Sequence, residues 1–416
     1  MRILVVSQYF WPENFRINDL VREFCERGHE VTVLTGWPNY PEGEVFPEFR
    51  CNRGAFDKFG AASVIRVPMA PRGKGALQLM LNYASYAISA ILLGSWRLRR
   101  KNFDIIFMCQ LSPITSGLPA IFLRYLKKTP LAFWVLDLWP ETLEAVGVIR
   151  SSRGLKTIGL LVSFIYNRCD LILAQSKSFI PKIRQYCRPE KKVEYFPSWS
   201  DALFDFSQVE PAKEILRAEG VFSVMFAGNI GEAQDFPAIL DAAELLKDDH
   251  CIRWLILGDG RAFKWLRAEV ARRGLAHCFF LLGRYPLDRM PSFYKHADAL
   301  LVSLKDEPIF SMTIPGKLQS YLAAGIPVLA MLNGEGAEIV RGSGAGLSCP
   351  AGDGMALASV VKQMVAMDSV DRYEMSNRAL AVSKQEFDRE SLISRLLSWF
   401  DELSAHRSRC KNSECK

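Results

Sequence analysis

The chain contains two successive series of short apolar runs that alternate with longer helical patterns. Continuous apolar runs of this length are typical of parallel strands that helices cover on both faces. The first series ends near Trp199, a polar stretch follows, and a new strand opens at Phe222. The predicted strands are Ile3–Val6, Val31–Thr35, Val64–Val67, Ile105–Met108, Ala132–Leu136, Leu171–Ala174, Val193–Phe196, Ser223–Ala227, Arg253–Leu257, Cys278–Leu282, Ala299–Ser303 and Pro327–Ala330. The restart predicts two doubly wound α/β domains.

The domain boundaries follow from where the alternation stops. We predict a first domain over 1–200 and a second over 201–386, which suits a chain of 416 residues. A C-terminal helix near 387–403 can pack back on the first domain. The segment 404–416 is predicted to be a polar, frayed tail.

Charge is distributed unevenly between the two halves. Residues 1–200 carry 27 basic and 16 acidic side chains, whereas residues 201–416 carry 25 and 29. The basic excess predicts that the first domain faces an anionic partner. Its basic residues are spread out and lack an aromatic platform, which argues against nucleic acid. The ten cysteines have no CxxC spacing and the first apolar run is too short for a signal peptide, so we expect a reduced cytoplasmic protein.

Residues 75–96 form an uncharged stretch that runs into a basic segment at 97–101. Length alone permits a membrane span, which needs about 20 apolar residues. Its polar residues form one stripe: Gln78, Asn82, Ser85 and Ser89. The stripe favours a helix at a membrane interface over a span. A core helix with a solvated basic end explains the same pattern, so both interpretations stay open.

Glycine-containing turns follow two strands of the second domain. Gly228–Gly231 comes directly after Ala227, and Gly258–Gly260 comes directly after Leu257. In doubly wound sheets ligands bind beyond the carboxyl ends of the strands, and glycine lets the backbone approach a phosphate closely. Ordinary turns between strand and helix are the alternative, and no third glycine stands at dinucleotide-binding spacing.

The segment Ile314–Val328 is the most specific feature of the second half. Pro315 and Gly316 fit the start of a helix that ends at Gly325. Lys317 then stands in the first turn, where a cation opposes the helix dipole unless an anion is bound there. An ordinary surface lysine is the alternative.

Several motifs together resemble the GT-B fold glycosyltransferases of family 4. In the second half they are the glycine turns and the helix that ends in AAGIPV. In the first half the motifs are Gln8–Arg16, Arg27–Gly36, Pro38–Pro41 and Asp137–Glu141. This combination is similar to a bacterial O-antigen and colanic-acid branch that includes WbuB-type N-acetylfucosaminyltransferases. The match extends roughly from residue 1 to residue 400.

The resemblance implies two Rossmann-like domains that face each other across a cleft, with the acceptor on the first and the nucleotide-sugar donor on the second. Transfer would retain the anomeric configuration. The turn at Gly228 and the amine of Lys317 would contact the diphosphate, and the loop at Arg284 would lie against the nucleobase. The implied donor-binding residues are Gly228, Asn229, Gly231, Gly258, Asp259, Arg284, Tyr285, Pro315, Lys317 and Ser320.

The chain departs from the family pattern at three places. Ser320 stands where members often carry the ribose-binding glutamate of an EX7E pair, and Met312 stands at the earlier position. Glu307 is an uncertain substitute. Asn229 and Gln234 lie where the phosphate loop usually carries Arg and Lys. Lys317, with Arg284 as a second candidate, would then neutralise the charge of the phosphates.

The predicted catalytic residues are Asp137, Glu141 and Lys317. The two carboxylates follow an apolar strand and could accept a hydrogen bond from a substrate hydroxyl, although Asp137 could equally cap a helix. The loop after the first strand holds further acceptor-side candidates: Glu13, Asn14 and Arg16. The chain has no DxD sequence, so we expect neither a metal nor another cofactor, and charge on the leaving diphosphate would be stabilised by Lys317 and backbone amides.

The leading hypothesis is a retaining transferase that moves N-acetyl-L-fucosamine from UDP to a polyprenyl-diphosphate-linked sugar in O-antigen or exopolysaccharide synthesis. It would work at the inner face of the cell membrane, bound peripherally to anionic lipid. Three alternatives stay open: a GDP-fucose-dependent colanic-acid fucosyltransferase, a sugar-nucleotide epimerase of the same fold, and a non-catalytic scaffold for polysaccharide assembly.

Overall fold

The computed structural model describes residues 1–73, 75–145, 149, 151–200, 209–216 and 218–414. The chain divides into two compact units. The first consists of Met1–Phe196 together with Ile393–Lys416, and the second of Pro197–Leu392. Each unit is built around one mainly parallel sheet.

The sheet of the first unit has eight strands. They are β1 (Arg2–Val6), β2 (Glu30–Gly36), β3 (Lys58–Phe59), β4 (Ala62–Val67), β5 (Ile105–Gln110), β6 (Leu131–Val135), β7 (Leu171–Ala174) and β8 (Lys192–Tyr195). Their order across the sheet is β3-β4-β2-β1-β5-β6-β7-β8, and only the pair β3 and β4 is antiparallel. The edge strand β3 is absent from the predicted set because two residues leave no apolar run.

Helices connect these strands and cover the sheet. They are α1 (Arg16–Glu26), α2 (Pro47–Cys51), α3 (Ala76–Ser89), α4 (Ser95–Arg97), α5 (Gly117–Lys127), α6 (Glu141–Ala145), α7 (Ser152–Tyr166) and α8 (Phe179–Gln185). A π-helical turn at Ala90–Gly94 joins α3 to α4, so that both form one continuous helical rod. Strands β1 and β5–β7, the centre of the sheet, are completely or almost completely buried, as their apolar sequences predict.

The second unit has a six-stranded, wholly parallel sheet. Its strands are β9 (Phe222–Ala227), β10 (Ile252–Leu257), β11 (Phe279–Gly283), β12 (Ala299–Ser303), β13 (Val328–Met331) and β14 (Gly346–Cys349). The order is β11-β10-β9-β12-β13-β14. Strand β14 is also missing from the predicted set, because its sequence GLSC shows neither an apolar run nor alternation.

The helices of the second unit lie on both faces of its sheet. They are α9 (Phe236–Leu245), α10 (Phe263–Arg272), α11 (Met290–Tyr294), α12 (Pro308–Ser311), α13 (Gly316–Ala323), α14 (Glu335–Ser343), α15 (Gly354–Ala366) and α16 (Ser369–Glu386). The prediction of two doubly wound α/β units is thereby confirmed.

The last helix, α17 (Arg389–Glu414), brings the chain back to the first unit. Its Phe400 ring lies 5.5 Å from the ring of Phe107 on β5 and 6.0 Å from that of Phe24 on α1, centroid to centroid. The helical backbone continues to Glu414, ten residues beyond the point where the sequence predicts that a polar tail begins.

Candidate functional site

In the second unit, the loops that follow β9 and β10 are joined by backbone hydrogen bonds. The N–H of Gly228 donates to the carbonyl of Leu257 at 2.9 Å, and the N–H of Ile230 donates to the carbonyl of Asp259 at 2.9 Å. A Cβ at Gly258, where φ is +137°, would lie 1.8 Å from the carbonyl oxygen of Gly228. Glycine is therefore needed at 258 so that the two loops can meet.

Lys317 lies against the first of these loops. A Cβ added to Gly228 would lie 2.2 Å from Cε and 3.1 Å from Nζ of Lys317, so the missing side chain makes room for the lysine. Its Nζ stands 3.9 Å from the centroid of the Phe226 ring. Within the part of the chain that the structure describes, no carboxylate pairs with this amine, and burial lowers the pKa of Lys317 to about 7.

Helix α13 is fixed to the end of β9, which sets the position of Lys317. The hydroxyl of Tyr321 donates to the carbonyl of Ala227 at 3.1 Å and accepts from its N–H at 2.9 Å. Pro315 precedes the helix with extended backbone, and Gly316 is its first residue, as the sequence predicts. The hydroxyl of Ser320 donates to the carbonyl of Gly316 in the preceding turn, at 3.4 Å.

The remaining donor-side candidates lie on the loops at the same sheet edge. Asp259 is exposed, and its carboxylate accepts from the N–H of Gly260 at 2.7 Å. Arg284 is exposed just beyond β11. The ring of Tyr285 packs on Phe293, with centroids 4.4 Å apart. Asn229 and Gly231 lie in the loop after β9, where a Cβ on Gly231 would stand 2.7 Å from Nδ2 of Asn229. Seven candidate residues therefore lie on three loops at the same edge of the sheet: Gly228, Asn229, Gly231, Gly258, Asp259, Arg284 and Tyr285.

Sequence reasoning missed the loop after β13. Glu335 opens α14 and is only 5% exposed. Gly334 before it has a φ of +66°, and a Cβ there would lie 2.0 Å from the carbonyl oxygen of Ser311. Because these residues lie in the loop after a predicted strand, the rule that selected Gly228 could have found them. Glu307 is the residue that precedes α12, and its backbone carbonyl accepts a hydrogen bond from the N–H of Ser311.

In the first unit, Glu13 is buried, and its carboxylate accepts hydrogen bonds from backbone N–H groups. One carboxylate oxygen accepts from the N–H groups of Asn39 and Tyr40, both at 2.8 Å, and the other accepts from the N–H of Phe10 at 3.1 Å. Burial raises the pKa of Glu13 to about 7, although these donors and Arg66 act in the opposite direction. Both oxygens accept from backbone N–H groups, so Glu13 positions the loop after β2.

The other two candidates of this loop are closer to solvent. Asn14 is exposed. Arg16 is half-buried at the start of α1, and its guanidinium lies 3.5 Å from the carboxylate of Asp19 one turn later.

The two carboxylates after β6 have different surroundings. Asp137 accepts from the hydroxyl of Thr142 at 2.5 Å and from the indole N–H of Trp139 at 3.0 Å, so both of its oxygens are bonded locally. Glu141 is the first residue of α6, and its Oε2 is buried with no hydrogen-bond partner among the described residues. Burial raises the pKa of Glu141, and Lys182 opposes this shift.

Two residues of the polar stripe on α3, Asn82 and Ser85, face the protein, whereas Gln78 is exposed, so the stripe does not form one outer polar surface. Asn82 is fully buried, accepts from Gln8 at 2.8 Å and donates to the carbonyl of Ala70 at 2.6 Å. Ser85 accepts from the N–H of Ala70. The exposed side of the helix carries apolar side chains instead. The stretch Leu77–Arg97 is long and apolar enough to span a bilayer by length and composition alone, and 33% of an 18-residue apolar window within it is buried.

Comparisons with known proteins match both units. Residues 14–199 match the model of a glycosyl transferase 4-like domain, and residues 222–367 match that of the glycosyl transferases group 1. The putative colanic acid biosynthesis glycosyl transferase WcaI of Escherichia coli K12 is 29% identical over 78% of this chain and 82% of its own. The probable glycosyltransferase WbjE of Pseudomonas aeruginosa is 27% identical over 56% and 60%.

Among solved structures, HepE of Anabaena in complex with UDP and glucose superposes with a TM-score of 0.67 at 16% identity. The match covers 96% of this chain and 99% of HepE. At this identity the likeness shows the fold alone, which is the two-domain fold predicted from the motifs. The narrower resemblance to WbuB-type enzymes stays a prediction.

Proposed function

Because the chain carries a glycosyl transferase 4-like domain followed by a glycosyl transferases group 1 domain, we propose that it transfers a sugar from a nucleotide diphosphate with retention of anomeric configuration. The second unit binds the donor and the first unit binds the acceptor. The resemblance that the motifs carry supports this division of roles.

The observation that carries the donor site is the amine of Lys317 between the Phe226 ring and the loop at Gly228. A buried amine without a carboxylate partner gains its counter-charge when a diphosphate binds. When the sugar–phosphate bond breaks, negative charge grows on the departing diphosphate, and a positioned cation stabilises it. In this proposal Lys317 and backbone N–H groups supply that stabilisation, and no metal ion is required.

UDP is the proposed nucleotide, because HepE, which shares the fold, was solved with UDP and glucose. N-acetyl-L-fucosamine is the proposed sugar, on the resemblance to the O-antigen branch. GDP-fucose is the second candidate, because the relative WcaI is described as a colanic acid enzyme. A sugar is selected by a few hydrogen bonds in its pocket, so the donor must be determined by experiment.

The proposed acceptor is a sugar linked to a polyprenyl diphosphate, used in O-antigen or exopolysaccharide synthesis at the inner face of the cell membrane. The colanic acid assignment of WcaI supports a surface polysaccharide. The net positive charge of residues 1–200 suits both an anionic membrane and a diphosphate-bearing acceptor.

Three helices of the first unit present an apolar surface that fits this location. Helix α5 packs between α3 and α7. Exposed side chains on the outer side of the three helices form what we name the apolar face: Leu77, Met80, Leu81, Ile88, Leu92 and Trp96 on the rod of α3 and α4, Phe122, Tyr125 and Leu126 on α5, and Leu160 and Phe164 on α7. Soluble monomers rarely expose apolar surface on this scale, and Arg99, Arg100 and Lys128 flank it. An apolar face with a basic rim is the pattern of a peripheral membrane protein.

The transfer is tested by incubating the protein with radiolabelled UDP- and GDP-sugars and a polyprenyl-diphosphate-linked sugar. We expect label to move into the lipid fraction with one UDP-sugar, and the product to keep the donor's anomeric configuration. Label that stays on the nucleotide with altered stereochemistry would identify an epimerase. Binding of UDP without turnover of any kind would identify a scaffold.

The membrane contact is tested by flotation with vesicles of anionic and of neutral phospholipid. We expect the protein to bind anionic vesicles, and we expect this binding to weaken at 0.5 M salt because salt screens the basic rim. The binding that remains at high salt would come from the apolar face. Replacing Leu77, Ile88 and Leu160 with Asp should abolish that residual binding. Absence of binding at low salt would exclude this location.

A further inference from the structure

Arg72 lies between β4 and α3 at the carboxyl edge of the first sheet. Its backbone N–H donates to Oδ1 of Asn39 at 2.9 Å. Its guanidinium stands 5.3 Å from the centroid of the Tyr40 ring and donates to the Tyr9 hydroxyl at 3.5 Å. Aromatic side chains therefore hold a half-buried cation in place, and no carboxylate pairs with it among the described residues.

Hydroxyl groups and aromatic rings surround this guanidinium, and the Tyr9 hydroxyl, which accepts from Arg72, donates to Oδ1 of Asn82 at 3.2 Å. The hydroxyl of Tyr83 interacts with both Arg72 and the side chain of Ser112, which follows β5. The nearest acids are engaged elsewhere, since Glu13 receives three backbone N–H groups and Asp137 receives Thr142 and Trp139. A guanidinium with neighbouring hydroxyls suits the oxygen atoms of a phosphate group.

The apolar face begins five residues after Arg72, in the first turn of α3. Leu77 is 71% exposed and Met80 65% exposed, in the first turns of α3. Asn82 ties this end of the helix to the sheet edge through Gln8 and Ala70. The fold thus places an uncompensated cation beside the start of a lipid-facing surface. A molecule that matches both features has a phosphate group attached directly to a hydrocarbon chain.

We infer that Arg72, with the hydroxyls of Tyr83 and Ser112, binds the diphosphate of a prenyl-diphosphate acceptor whose hydrocarbon chain leaves along α3. This inference rests on the proposed function, because it names the acceptor's anchoring group. Arg72 is a binding residue that holds the acceptor and takes no part in breaking the donor bond.

Binding of farnesyl diphosphate to the full chain tests the site, with saturating UDP present to occupy the donor site. The variants are Arg72→Gln, Arg72→Lys and the control Arg53→Gln, whose exposed guanidinium stands 4.5 Å from the centroid of the Trp37 ring. Loss of a charged hydrogen-bond donor should weaken farnesyl diphosphate binding about ten- to a hundredfold in Arg72→Gln. Arg72→Lys should retain part of the affinity, and Arg53→Gln should bind as the wild type does.

Two further arms separate the acceptor's diphosphate from other anions. Farnesol, which lacks the diphosphate, should not compete with farnesyl diphosphate for binding. If Arg72 holds the acceptor and not a lipid headgroup, vesicles of anionic phospholipid should bind Arg72→Gln as well as they bind the wild type. Unchanged farnesyl diphosphate affinity in Arg72→Gln overturns the inference. So does an equal loss in Arg53→Gln, or a loss of vesicle binding that matches the loss of farnesyl diphosphate binding.

UDP affinity, measured in parallel, distinguishes this inference from the proposed function. If the wild type binds UDP and Arg72→Gln retains that affinity within twofold, the variant is folded and the effect belongs to the acceptor side. If the wild type binds farnesyl diphosphate through Arg72 but binds no nucleotide diphosphate, the proposed transferase function fails while the anion site stands.

Discussion

The amine of Lys317 stands 3.9 Å from the centre of the Phe226 ring, which belongs to the penultimate residue of β9. The ring offers the cation a weak electrostatic partner without adding negative charge. Helix α13 supplies the lysine, the strand supplies the ring, and the Tyr321 hydroxyl joins the two elements at Ala227. The diphosphate of the proposed donor would supply the counter-charge that this amine lacks among the described residues.

Replacing Lys317 should remove most of the affinity for UDP. A charged hydrogen bond contributes about 1.5–3 kcal/mol, so we expect Lys317→Ala to weaken UDP binding about ten- to a hundredfold in titration calorimetry. Lys362→Ala, which removes an exposed lysine on α15, is the control and should bind UDP as the wild type does. Equal affinity in Lys317→Ala and the wild type would show that the phosphates lie elsewhere.

The pH dependence of UDP binding should follow the same amine. Burial lowers the pKa of Lys317 to about 7, and a bound diphosphate favours the ammonium and raises that pKa again. Above pH 7 the free protein holds a neutral amine, so binding takes up a proton and affinity falls as the pH rises from 7 to 9. Calorimetry at pH 8 in buffers of different ionisation enthalpy measures this uptake.

Lys317→Arg is the control for this titration, because a guanidinium stays protonated throughout the range. Its UDP affinity should change little between pH 7 and 9, whatever its absolute value. A wild-type affinity that is equally flat would contradict a buried, titrating amine.

The contrast between strands and sites shows what the sequence alone can predict. Apolar runs predict twelve of the fourteen strands within two residues of their ends, because a strand buried on both faces must be apolar throughout. Lys317 is predictable for a similar reason, since a cation in the first turn of a helix opposes the dipole and needs an explanation.

Side-chain direction was not predictable in the same way. The stripe of Asn82 and Ser85 suggests an outer polar surface, yet both side chains bond inward to Ala70. Glu13 is predicted from its place after the first strand, but two of its hydrogen-bond partners, the N–H groups of Asn39 and Tyr40, lie 26 and 27 residues away, and only the folded chain brings them together. Arg72 belongs to no sequence motif. Its proposed role follows from the aromatic side chains that surround it in the folded chain.

Gly258 should be intolerant of a side chain for a geometric reason. Alanine there must adopt a φ near +137° and must also displace the carbonyl of Gly228, so we expect Gly258→Ala to lower the free energy of unfolding by about 3 kcal/mol or more. Gly274→Ala is the matched control, because φ is +69° and no atom lies within 4 Å of the added Cβ. That variant should lose only about 1–2 kcal/mol in urea unfolding. Similar losses in both variants would mean that the contact between the loops is unimportant.

Glu13 should affect the acceptor side through the loop it holds. Glu13→Gln replaces one accepting oxygen with an N–H2 group, leaving at least one backbone N–H of Phe10, Asn39 or Tyr40 unpaired. We expect a loss of about 1–3 kcal/mol in unfolding free energy and a higher KM for the acceptor, with UDP affinity unchanged. Glu42→Gln, an exposed acid in the same loop region, should change neither quantity. A fall in UDP affinity would show that Glu13 affects the donor side and would contradict this prediction.

Asp137 distinguishes a positioning role from direct action on the substrate. Its oxygens accept from Thr142 and Trp139, and an indole N–H can only donate, so Asp137→Asn leaves one of these donors without an acceptor. We expect a loss of about 1–2 kcal/mol of unfolding free energy and a modest rise in acceptor KM. The acceptor KM is expected to rise because the Trp139 ring packs against the ring of Tyr83, with centroids 6.2 Å apart, and Tyr83 belongs to the proposed acceptor site.

Thr142→Val removes one of the two bonds while leaving the Asp137 carboxylate in place. If Asp137 acts by holding Trp139 and the start of α6, Thr142→Val should reproduce part of the effect, and the double variant should show a coupling of about 0.5–2 kcal/mol in a thermodynamic cycle. If Asp137 instead contacts the reacting atoms, Asp137→Asn should lower kcat by two or more orders of magnitude, at unchanged stability, while Thr142→Val stays close to wild type. Because both of its oxygens are already bonded within the loop, we expect the first result.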